Sequence, residues 1–413
     1  MSAQELDPPR RQSAAVRLAE LEEIEVSIEK LVAGGDGFGR FEGIPIFVPL
    51  SAPGDRLRVR LVARHPDYAR GEIVEILAPG EARRPAPCPY FGRCGGCSLQ
   101  HIDDHRQVAL KAEAACETLV RLGGVSLPED LQVVEGRPWG YRLRTQLHCE
   151  RRDTGSAVGY FARGSHDLIA VDRCPILVPA LESLLPRLPS LLPEEPPRRL
   201  DIAAGDDGRV GSAPPLGELG GGELSVSLGP DTLFFDARCF FQGHRSMLPK
   251  LIDAVVGNER GGEAYDLYSG VGLFSLPLTR HYERVVAVEA DRVAARFCRL
   301  NARRNRRSGL EVVPRAVESW VGRLPDGAAR VVVDPPRSGL AKRVTEVLVS
   351  RRPQSITYVS CHAASMARDL KRLGQGYRLV RLVLLDLFPQ SGHLELVAHL
   401  RRSDEGEESE VRR

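Results

Sequence analysis

Strand and helix patterns alternate from about residue 241 to residue 400, and this alternation limits the fold more than any other feature of the sequence. It is typical of an α/β domain built on a mostly parallel sheet. Open sheets of this kind bind their ligands at the carboxyl ends of the strands. Functional residues are therefore expected where the strands of this region end.

A glycine-containing turn follows one of the first strands of this region. The stretch EAYDLYSGVGLFSLPL (263–278) reads as strand, turn and helix. Gly270 and Gly272 allow a sharp turn and let the backbone approach a ligand at the start of the helix. The next strand ends in Glu289, whose carboxylate can bond ribose hydroxyls. The pattern predicts a nucleotide-type cofactor, either NAD or S-adenosylmethionine.

A second strand end favours one of these two cofactors. In RVVVDPPRSGL (330–340), Asp334 ends an apolar run and two prolines follow it. The prolines hold a rigid turn at the ligand-binding edge of the sheet. Asp-Pro-Pro is rare at this place in dehydrogenases and common in methyltransferases that act on planar nitrogens or bases. Methyl transfer from S-adenosylmethionine is therefore the favoured chemistry.

Cys361 is a candidate nucleophile, because it ends a strand pattern and directly precedes a helical one. The helix dipole is expected to lower the pKa of a thiol in this position and so to favour the reactive thiolate. The alternative interpretation is a buried packing residue.

Two ionisable residues near the C-terminus are candidates for proton transfer. His393 and Glu395 lie two residues apart in LFPQSGHLELVAHL (387–400), which predicts that they share one face of a strand. Glu395 lies in an apolar segment, where a raised pKa would suit a general base. An ordinary charge on an edge strand explains the pattern equally well.

Three of the nine cysteines stand close together in CPYFGRCGGC, at Cys88, Cys94 and Cys97. A metal site in this glycine- and proline-bearing loop needs a fourth ligand, and Cys174 in VDRCPIL is the best candidate. Four thiolates suit either zinc or an iron–sulfur cluster. The remaining cysteines without such spacing, Cys116, Cys149, Cys239 and Cys298, are predicted to be packing residues.

The N-terminal region, 22–79, contains several short strand patterns separated by glycine-bearing turns. This spacing predicts a small five-stranded barrel of the OB type. Alternation in RLRVRLVAR places Arg56, Arg58 and Arg60 on one strand face. Such a face suits a nucleic-acid backbone, and an ordinary solvated face is the alternative.

Length and composition exclude several classes of protein. The 413 residues suggest about two to four domains, and contents of 42% hydrophobic and 27% charged residues are those of globular proteins. The net charge of +2 does not by itself indicate a nucleic-acid partner. No apolar run approaches the roughly 20 residues that span a bilayer, and no signal-type stretch is found. A soluble cytoplasmic protein without a membrane partner is expected.

Taken together, the motifs resemble those of the RNA (uracil-5)-methyltransferases, in the branch that carries a TRAM domain and an iron–sulfur cluster. The matching segments are AGGDGFGRFEGIPIFVPLSAPGD, CPYFGRCGGC with CPIL, FFQ, DLYSGVGLFSLPL, VDPPRSGL, YVSC with ARDL, and LFPQSGHLE. They cover nearly all of residues 22–400 in the expected order.

The resemblance implies a class I, Rossmann-like α/β methyltransferase domain, an N-terminal OB-like TRAM barrel, and a central α+β domain with the cluster. The implied boundaries are a disordered tail at 1–21, the barrel at 22–80, the central domain at 81–240, the methyltransferase domain at 241–402, and a charged disordered tail at 403–413.

The resemblance also implies roles for individual residues. Cys361 aligns with the nucleophile and Glu395 with the proton acceptor. The positions that contact S-adenosylmethionine are Gln242, Tyr268, Leu273, Glu289 and Asp334, beside the glycines of the turn. The implied ligands of a 4Fe–4S cluster are Cys88, Cys94, Cys97 and Cys174.

By the same resemblance the enzyme converts a uridine of 23S rRNA to 5-methyluridine. A monomer that acts on RNA rather than DNA is expected. The same chemistry on tRNA is the nearest alternative, and a non-catalytic RNA-binding protein with a degenerate fold is the second. The arginine-rich helix pattern at 296–307 is a candidate phosphate-contacting surface or a solvated face.

The sequence departs from the family pattern at four places. His362-Ala363 stands where Asn-Pro usually follows the nucleophile, and His244 stands where the pattern has Asn. Leu273 replaces a frequent Asn, so that its cofactor contact is expected through backbone or packing. Arg315 stands where an Asp or Asn often closes the adenine pocket. These departures leave the substrate open.

Overall fold

The computed structural model describes residues 18, 21–153, 155–217 and 219–403. The tails predicted at 1–21 and 403–413 lie outside the described residues, apart from Leu18, Leu21 and Ser403. The chain divides into two compact units, of which the first holds residues 1–115 and 389–393 and the second holds 116–388 and 394–413. No helix among the described residues is long and apolar enough to cross a membrane.

Five strands of the first unit form a closed barrel in the order β1-β2-β3-β5-β4. They are β1 (Glu23–Leu31), β2 (Gly37–Phe41), β3 (Ile44–Val48), β4 (Arg56–Arg64) and β5 (Ala69–Ala78). Alternate residues of β1, such as Ile24, Val26 and Ile28, fill the interior. Gly39 lies so close to β1 that a Cβ there would stand 2.3 Å from the Ser27 carbonyl oxygen. The predicted five-stranded barrel is confirmed.

The basic face predicted on β4 is largely neutralised. Arg58 pairs with Glu75 at 2.9 Å and Arg60 pairs with Glu23 at 3.7 Å. The neighbouring strands β5 and β1 supply these carboxylates, which strand propensity alone does not reveal. The ion pairs favour the interpretation of β4 as an ordinary solvated face.

The first unit also contains the start of helix α1 (Asp104–Gly123) and the short segment 389–393. Gln390 adopts a positive φ of 66°. Its side-chain oxygen accepts a hydrogen bond from Gln107 at 3.0 Å, and its amide donates to Asp104 at 2.6 Å. Its backbone carbonyl accepts from Ser98 at 2.9 Å. These bonds hold segment 389–393 within the first unit.

The second unit contains the other strands and the remaining helices. Its strands are β6 (Asp130–Val134), β7 (Arg144–Arg152), β8 (Gly155–Phe161), β9 (Leu168–Ala170), β10 (Arg199–Ala204), β11 (Val210–Ala213), β12 (Leu224–Leu228), β13 (Asp231–Phe235), β14 (Gly261–Leu267), β15 (Tyr282–Val288), β16 (Leu310–Val313), β17 (Arg330–Val333), β18 (Ser355–Ser360), β19 (Tyr377–Leu385) and β20 (Glu395–Arg402). Its α-helices are α2 (Pro179–Glu182), α3 (Leu188–Leu191), α4 (Leu248–Val256), α5 (Ser275–Leu278), α6 (Arg292–Arg304), α7 (Val317–Trp320), α8 (Lys342–Arg351) and α9 (Ala363–Leu373). Three 3-10 helices span Leu185–Arg187, Arg245–Met247 and Val321–Arg323.

Eight strands form the large sheet in the order β16-β15-β14-β17-β18-β20-β19-β6. The first five run parallel to one another, and β20 is antiparallel to both of its neighbours. Strand β17 is apolar along most of its length, with Val331, Val332 and Val333 fully buried. The predicted, mostly parallel α/β sheet is confirmed.

Strand β6 joins this sheet by pairing in parallel with β19, although about 250 residues separate the two. Its mixed pattern, DLQVV, carries no local signal of that partner. Two smaller antiparallel sheets complete the second unit. One has the order β11-β10-β7-β8-β9, and the other consists of β12 and β13.

Candidate active site

The carboxyl ends of three neighbouring parallel strands bring the predicted functional residues together. Tyr268 follows β14, Asp334 follows β17 and Cys361 follows β18. The Asp334 N–H donates to the Leu267 carbonyl at 3.3 Å. Strand β20 runs antiparallel to β18 and pairs Leu396 with Ser360. One further step of this register places Glu395 opposite Cys361.

Cys361 is half-buried and lies directly before helix α9. Desolvation raises the pKa of its thiol to about 11, and the negative charge of Glu395 adds to the rise. Arg337 hydrogen-bonds the thiol and lowers the pKa, but by less. The predicted lowering of the pKa is therefore wrong, because desolvation and the nearby carboxylate outweigh the helix end.

Glu395 is the first residue of β20 and is only 2% exposed. Burial raises its pKa well above the ordinary value, and the charge of Asp334 raises it further, whereas Arg337 lowers it. The predicted rise is confirmed. The prediction that His393 shares a strand face with Glu395 is wrong, because β20 begins only at Glu395 and His393 belongs to the first unit.

Asp334 and Gln242 form a hydrogen-bonded pair at the same edge. Desolvation raises the pKa of Asp334 to about 7, the charge of Asp266 contributes, and the Gln242 amide opposes the rise by donating to the carboxylate. Gln242 is 5% exposed, and its side-chain oxygen has no hydrogen-bond partner among the described residues.

Two further buried polar groups of this edge are not fully satisfied. Asp266, at the end of β14, accepts a hydrogen bond from Ser275 through one carboxylate oxygen, while the other oxygen has no described partner. Burial raises its pKa to about 7. The Ser269 hydroxyl also lacks a described partner. Because buried polar groups are nearly always hydrogen-bonded, these atoms have hydrogen-bonding capacity that a polar ligand can use.

Glu289 and the glycine turn provide a second polar surface. The Glu289 carboxylate accepts hydrogen bonds from the Gly270 N–H at 2.8 Å and from the Asp291 N–H at 2.6 Å. Gly270 and Gly272 have φ values of 54° and 95°, and a Cβ on Gly272 would lie 2.9 Å from the Cys298 sulfur. The turn therefore requires glycine, as the sequence predicts, and it holds Glu289 at the end of β15.

Two further predicted cofactor residues, Tyr268 and Leu273, have different surroundings. Tyr268 has a φ of 66°, and its hydroxyl donates to Glu318 at 2.9 Å. Leu273 is buried in the hydrophobic core of the unit. Its contact with a cofactor through backbone or packing stays a prediction.

His362, which departs from the family pattern, caps the helix that follows the nucleophile. His362 is the N-cap of α9 and accepts a hydrogen bond from the Ser365 N–H through its imidazole. Ser365 in turn donates from its hydroxyl to the Arg337 carbonyl at 2.8 Å. A side-chain cap at this position serves the same purpose as Asn. The cap thus connects the helix to the loop that carries Arg337.

Arg337, Asp266 and Ser269 are residues of the site that the sequence reasoning did not assign. Arg337 directly follows Asp-Pro-Pro, and Asp266 and Ser269 lie in the DLYSG segment. The motifs therefore contained a signal for all three. The folded structure determines that Arg337 contacts the thiol. It also determines that Asp266 and Ser269 each have an atom without a described hydrogen-bond partner.

The other departures lie apart from the nucleophile. His244 is fully buried, and its ring stacks on Tyr141 with the centroids 4.4 Å apart. Arg315 is exposed. The structure contains no contact of Arg315 with the described site residues that would explain its place in the motif.

The predicted cluster ligands are thiols rather than disulfides. Cys88, Cys94 and Cys97 belong to the first unit and Cys174 to the second, and all four are half-buried. Among the described residues, no group of three or more His, Cys, Asp or Glu side chains is arranged to hold a metal ion. Cys149, Cys239 and Cys298 are buried, as predicted for packing residues, while Cys116 is half-buried.

Family models match two parts of the chain. A model described as TRAM domain matches residues 18–74, and one described as tRNA (Uracil-5-)-methyltransferase matches residues 327–403. The second match contains Asp334, Cys361 and Glu395.

Two curated relatives extend the similarity to almost the whole chain. The 23S rRNA (uracil(1939)-C(5))-methyltransferase RlmD of Cronobacter sakazakii is 32% identical, over 94% of this chain and 99% of the relative. The chain belongs to the RNA uracil-5-methyltransferase family. The RlmD of Alkalilimnicola ehrlichii is 31% identical, over 92% of this chain and 97% of the relative. As a family member, the chain is an S-adenosylmethionine-dependent RNA uracil-5-methyltransferase.

A solved structure supports the fold. The tRNA (uracil-54, C5)-methyltransferase of Pyrococcus abyssi, in complex with S-adenosyl-L-homocysteine, superposes with a TM-score of 0.71 at 24% identity. The match covers 91% of this chain and all of that chain. It shows that the second unit has the methyltransferase fold.

Proposed function

We propose that the chain methylates C5 of one uridine in 23S rRNA, with Cys361 as the nucleophile and Glu395 as the proton acceptor. One observation carries the proposal. A thiol, the arginine that hydrogen-bonds it and a buried glutamate with a raised pKa meet at the ligand-binding edge of the sheet. Such a cluster of perturbed groups is typical of a catalytic site.

The residue types fit the chemistry of uracil. C5 of uracil is a poor nucleophile, and addition of the Cys361 thiolate at C6 makes it a stronger one. Arg337 stabilises the thiolate, which the raised pKa otherwise disfavours. After methyl transfer, Glu395 removes the C5 proton. The C5–C6 double bond then reforms, and Cys361 leaves as the thiolate.

S-Adenosylmethionine supplies the methyl group when bound. The proposed binding residues are Gln242, Tyr268, Gly270, Gly272, Leu273, Glu289 and Asp334. The unsatisfied atoms of Gln242, Asp266 and Ser269 fit a ligand with ammonium and carboxylate groups. Glu289, held by two backbone N–H groups, fits ribose hydroxyls.

An exposed aromatic side chain supports base binding. Phe240 is 65% exposed, two residues before Gln242. The next residue, Phe241, is buried and stacks on Phe235 with the ring centroids 4.3 Å apart, which fixes the backbone at this point. An exposed ring on a rigid backbone can stack on a base that has left the RNA helix.

The barrel presents a second aromatic surface to RNA. Phe47 packs edge-on against Tyr68 with centroids 5.6 Å apart, and Tyr68 stacks on His65 at 4.3 Å. The Arg40 guanidinium lies 5.2 Å from the nearby Phe38 ring centroid. Aromatic side chains beside cations bind unpaired bases and phosphates, so we assign this aromatic face the role of an RNA platform.

The names of relatives support 23S rRNA as the proposed substrate. Two relatives that are more than 30% identical to this chain are named as 23S rRNA methyltransferases. The tRNA alternative remains because one matching family model and the solved structure bear tRNA names. RNA rather than DNA as the partner, a monomeric enzyme and a cytoplasmic location remain predictions from the sequence.

Labelled methyl transfer separates these alternatives. Unmodified 23S rRNA and unmodified tRNA are incubated with the protein and labelled S-adenosylmethionine, and the products are digested to nucleosides. Label in 5-methyluridine from 23S rRNA alone is the expected result. Label only in tRNA overturns the rRNA substrate, and RNA binding without label in either pool favours the non-catalytic alternative.

The iron–sulfur cluster is a separate proposal that the thiol chemistry of Cys88, Cys94, Cys97 and Cys174 supports. No catalytic step is assigned to it, because the described residues form no metal-binding group. Anaerobically purified protein is expected to contain iron and acid-labile sulfide, which Cys94→Ser removes and the control Cys116→Ser retains. Stoichiometric zinc without iron would contradict the assignment.

A further inference from the structure

A cleft of about 450 Å³ lies beside the C-terminal half of α6 and strand β16. Eight residues line it, and four of them are the arginines Arg299, Arg303, Arg306 and Arg307. None of the described lining residues is acidic. We call it the arginine cleft.

The four arginines are held in two different ways. Arg299 donates to the Val312 carbonyl at 3.0 Å, and Arg307 pairs with Asp231 at 2.7 Å. Arg303 and Arg306 are exposed, and neither is within ion-pair distance of a described carboxylate. The cleft therefore carries two fixed guanidinium groups and two with uncompensated charge.

The end of α6 is built rigidly, so the cleft does not depend on a loose loop. Asn301 exchanges hydrogen bonds with the backbone of Phe234, donating at 3.0 Å and accepting at 2.8 Å. Asn305 does the same with Thr232, donating at 2.8 Å and accepting at 2.9 Å. Both asparagines tie the helix to β13.

Arg306 occupies a backbone position that favours glycine. It follows the C-cap Asn305 and has a φ of 56°. Glycine is the usual residue at this place after a helix, because a side chain there is disfavoured sterically. A strained backbone position is often retained where the side chain has a function. Arg306 combines such a position with a guanidinium group that has no described ion-pair partner, which indicates that its side chain binds a ligand.

The two uncompensated arginines of the cleft lie at the end of α6 that is farther from the catalytic residues. Helix α6 begins just after Glu289, at the carboxyl edge of the sheet, and ends 13 residues later. At 1.5 Å per residue the helix spans about 20 Å. Arg303 and Arg306, at the far end of the helix, therefore lie well away from the residues at the carboxyl edge.

We propose that the arginine cleft binds backbone phosphates of the RNA substrate at a distance from the target uridine. Guanidinium groups match phosphate oxygens in charge and in bidentate geometry. The inference rests on the proposed RNA substrate, and it adds a second contact region that fixes how the RNA lies on the second unit. The alternative is a purely structural role, in which these arginines only stabilise the negative end of the helix dipole.

The salt dependence of RNA binding tests the proposal. Affinity for unmodified 23S rRNA transcript is measured between about 50 and 200 mM salt for wild type and Arg303→Gln/Arg306→Gln. Each lost phosphate contact on single-stranded RNA lowers the slope of log K against log salt by about 0.7, so a reduction of about 1.4 is expected. KM for the RNA rises several-fold, while kcat and S-adenosylmethionine affinity stay unchanged.

Arg304→Gln is the control for a general loss of positive charge, because it removes one arginine at the same end of α6. Arg304 does not line the cleft and pairs with Glu223. Its slope is expected to equal that of wild type. An equal loss in Arg304→Gln would show a general charge effect and overturn the proposal, as would an unchanged slope in the folded double variant.

Arg306→Gly separates binding from helix stability. Glycine suits the positive φ, so the melting temperature is expected to stay or rise while the slope falls by about 0.7. A stable variant with the wild-type slope would assign Arg306 a purely structural role. Wild-type methylation is measured in the same samples. If wild type neither binds nor methylates RNA, the proposed function fails, whereas normal wild-type activity with unaffected variants rejects the cleft alone.

Discussion

Charged side chains are placed in opposite ways in the barrel and at the carboxyl edge of the large sheet. On β4 of the barrel, arginines are exposed and paired, as Arg58 is with Glu75. At the sheet edge, Asp266 and Glu395 are buried, and burial is the largest cause of their raised pKa values. Exposed pairs contribute about 0–1 kcal/mol each, whereas a buried charge is costly. Several buried ionisable side chains with raised pKa values at one sheet edge are typical of a functional site.

The largest expected effect separates a reactive thiol from the packing thiols. Cys361→Ala removes the nucleophile, so methyl transfer is expected to fall by about 10³-fold or more, as for other nucleophile deletions. Incubation with RNA is expected to leave no covalent protein–RNA adduct on a denaturing gel. Cys116→Ser is the control and is expected to keep its activity. Retained methyl transfer in Cys361→Ala would show that Cys361 is not the nucleophile, and the sheet edge would then no longer differ from the barrel as the catalytic region.

Glu395→Gln tests whether the buried glutamate acts after the nucleophile. Loss of a general base is expected to slow methyl transfer by about 10²–10⁴-fold. Because Cys361 can still add to the base, the covalent adduct is expected to accumulate, which single-turnover assays on a denaturing gel would detect. A variant that forms no adduct and yet binds RNA normally would place Glu395 before the addition step instead.

The cost of burial at Asp266 is expected to appear as a pH dependence of stability. Its pKa is about 7 in the folded chain against an ordinary value of 3.8. Between these values the folded chain retains a proton that the unfolded chain releases. The free energy of unfolding therefore falls as pH rises through this window, by an amount on the order of 4 kcal/mol at one pKa unit per 1.36 kcal/mol.

Urea unfolding of the ligand-free protein at pH 5 and pH 8 measures the part of this fall that lies above pH 5, about 3 kcal/mol, and Asp266→Asn is expected to reduce it. Asp334 has a pKa raised in the same direction and retains part of the dependence. The exposed Asp207 serves as the control, and Asp207→Asn is expected to leave the difference unchanged. An Asp266→Asn variant with the wild-type pH dependence would contradict the electrostatic account.

The smallest expected effects lie on the barrel and test its two faces against each other. Tyr68→Ala removes a stacking ring of the aromatic face and is expected to weaken RNA binding by about 1–3 kcal/mol. Arg58→Gln breaks an exposed ion pair and is expected to change binding and stability by less than about 1 kcal/mol. Fluorescence anisotropy with labelled RNA measures both. A larger loss of RNA affinity in Arg58→Gln than in Tyr68→Ala would indicate that the β4 face, rather than the aromatic face, binds RNA.

Sequence reasoning succeeded where the signal was local. The glycine turn at 270–272 and the Asp-Pro-Pro turn restrict the backbone directly, so their positions at the sheet edge could be predicted. The direction of the Cys361 pKa could not, because it depends on desolvation and on Glu395, which comes from a strand more than 30 residues away along the chain. His393 was misplaced because the start of β20 depends on hydrogen bonds that hold segment 389–393 elsewhere.

The amino-acid sequence alone specifies the barrel, the parallel sheet and the candidate nucleophile and base, because hydrophobic periodicity and turn residues act over a few neighbours. Tertiary structure alone determines that Arg337 contacts the thiol. It also determines that Arg58 and Arg60 of β4 are neutralised, whereas Arg303 and Arg306 are not. Electrostatic interactions and burial join residues that are far apart in the chain, and only the folded arrangement brings those residues together.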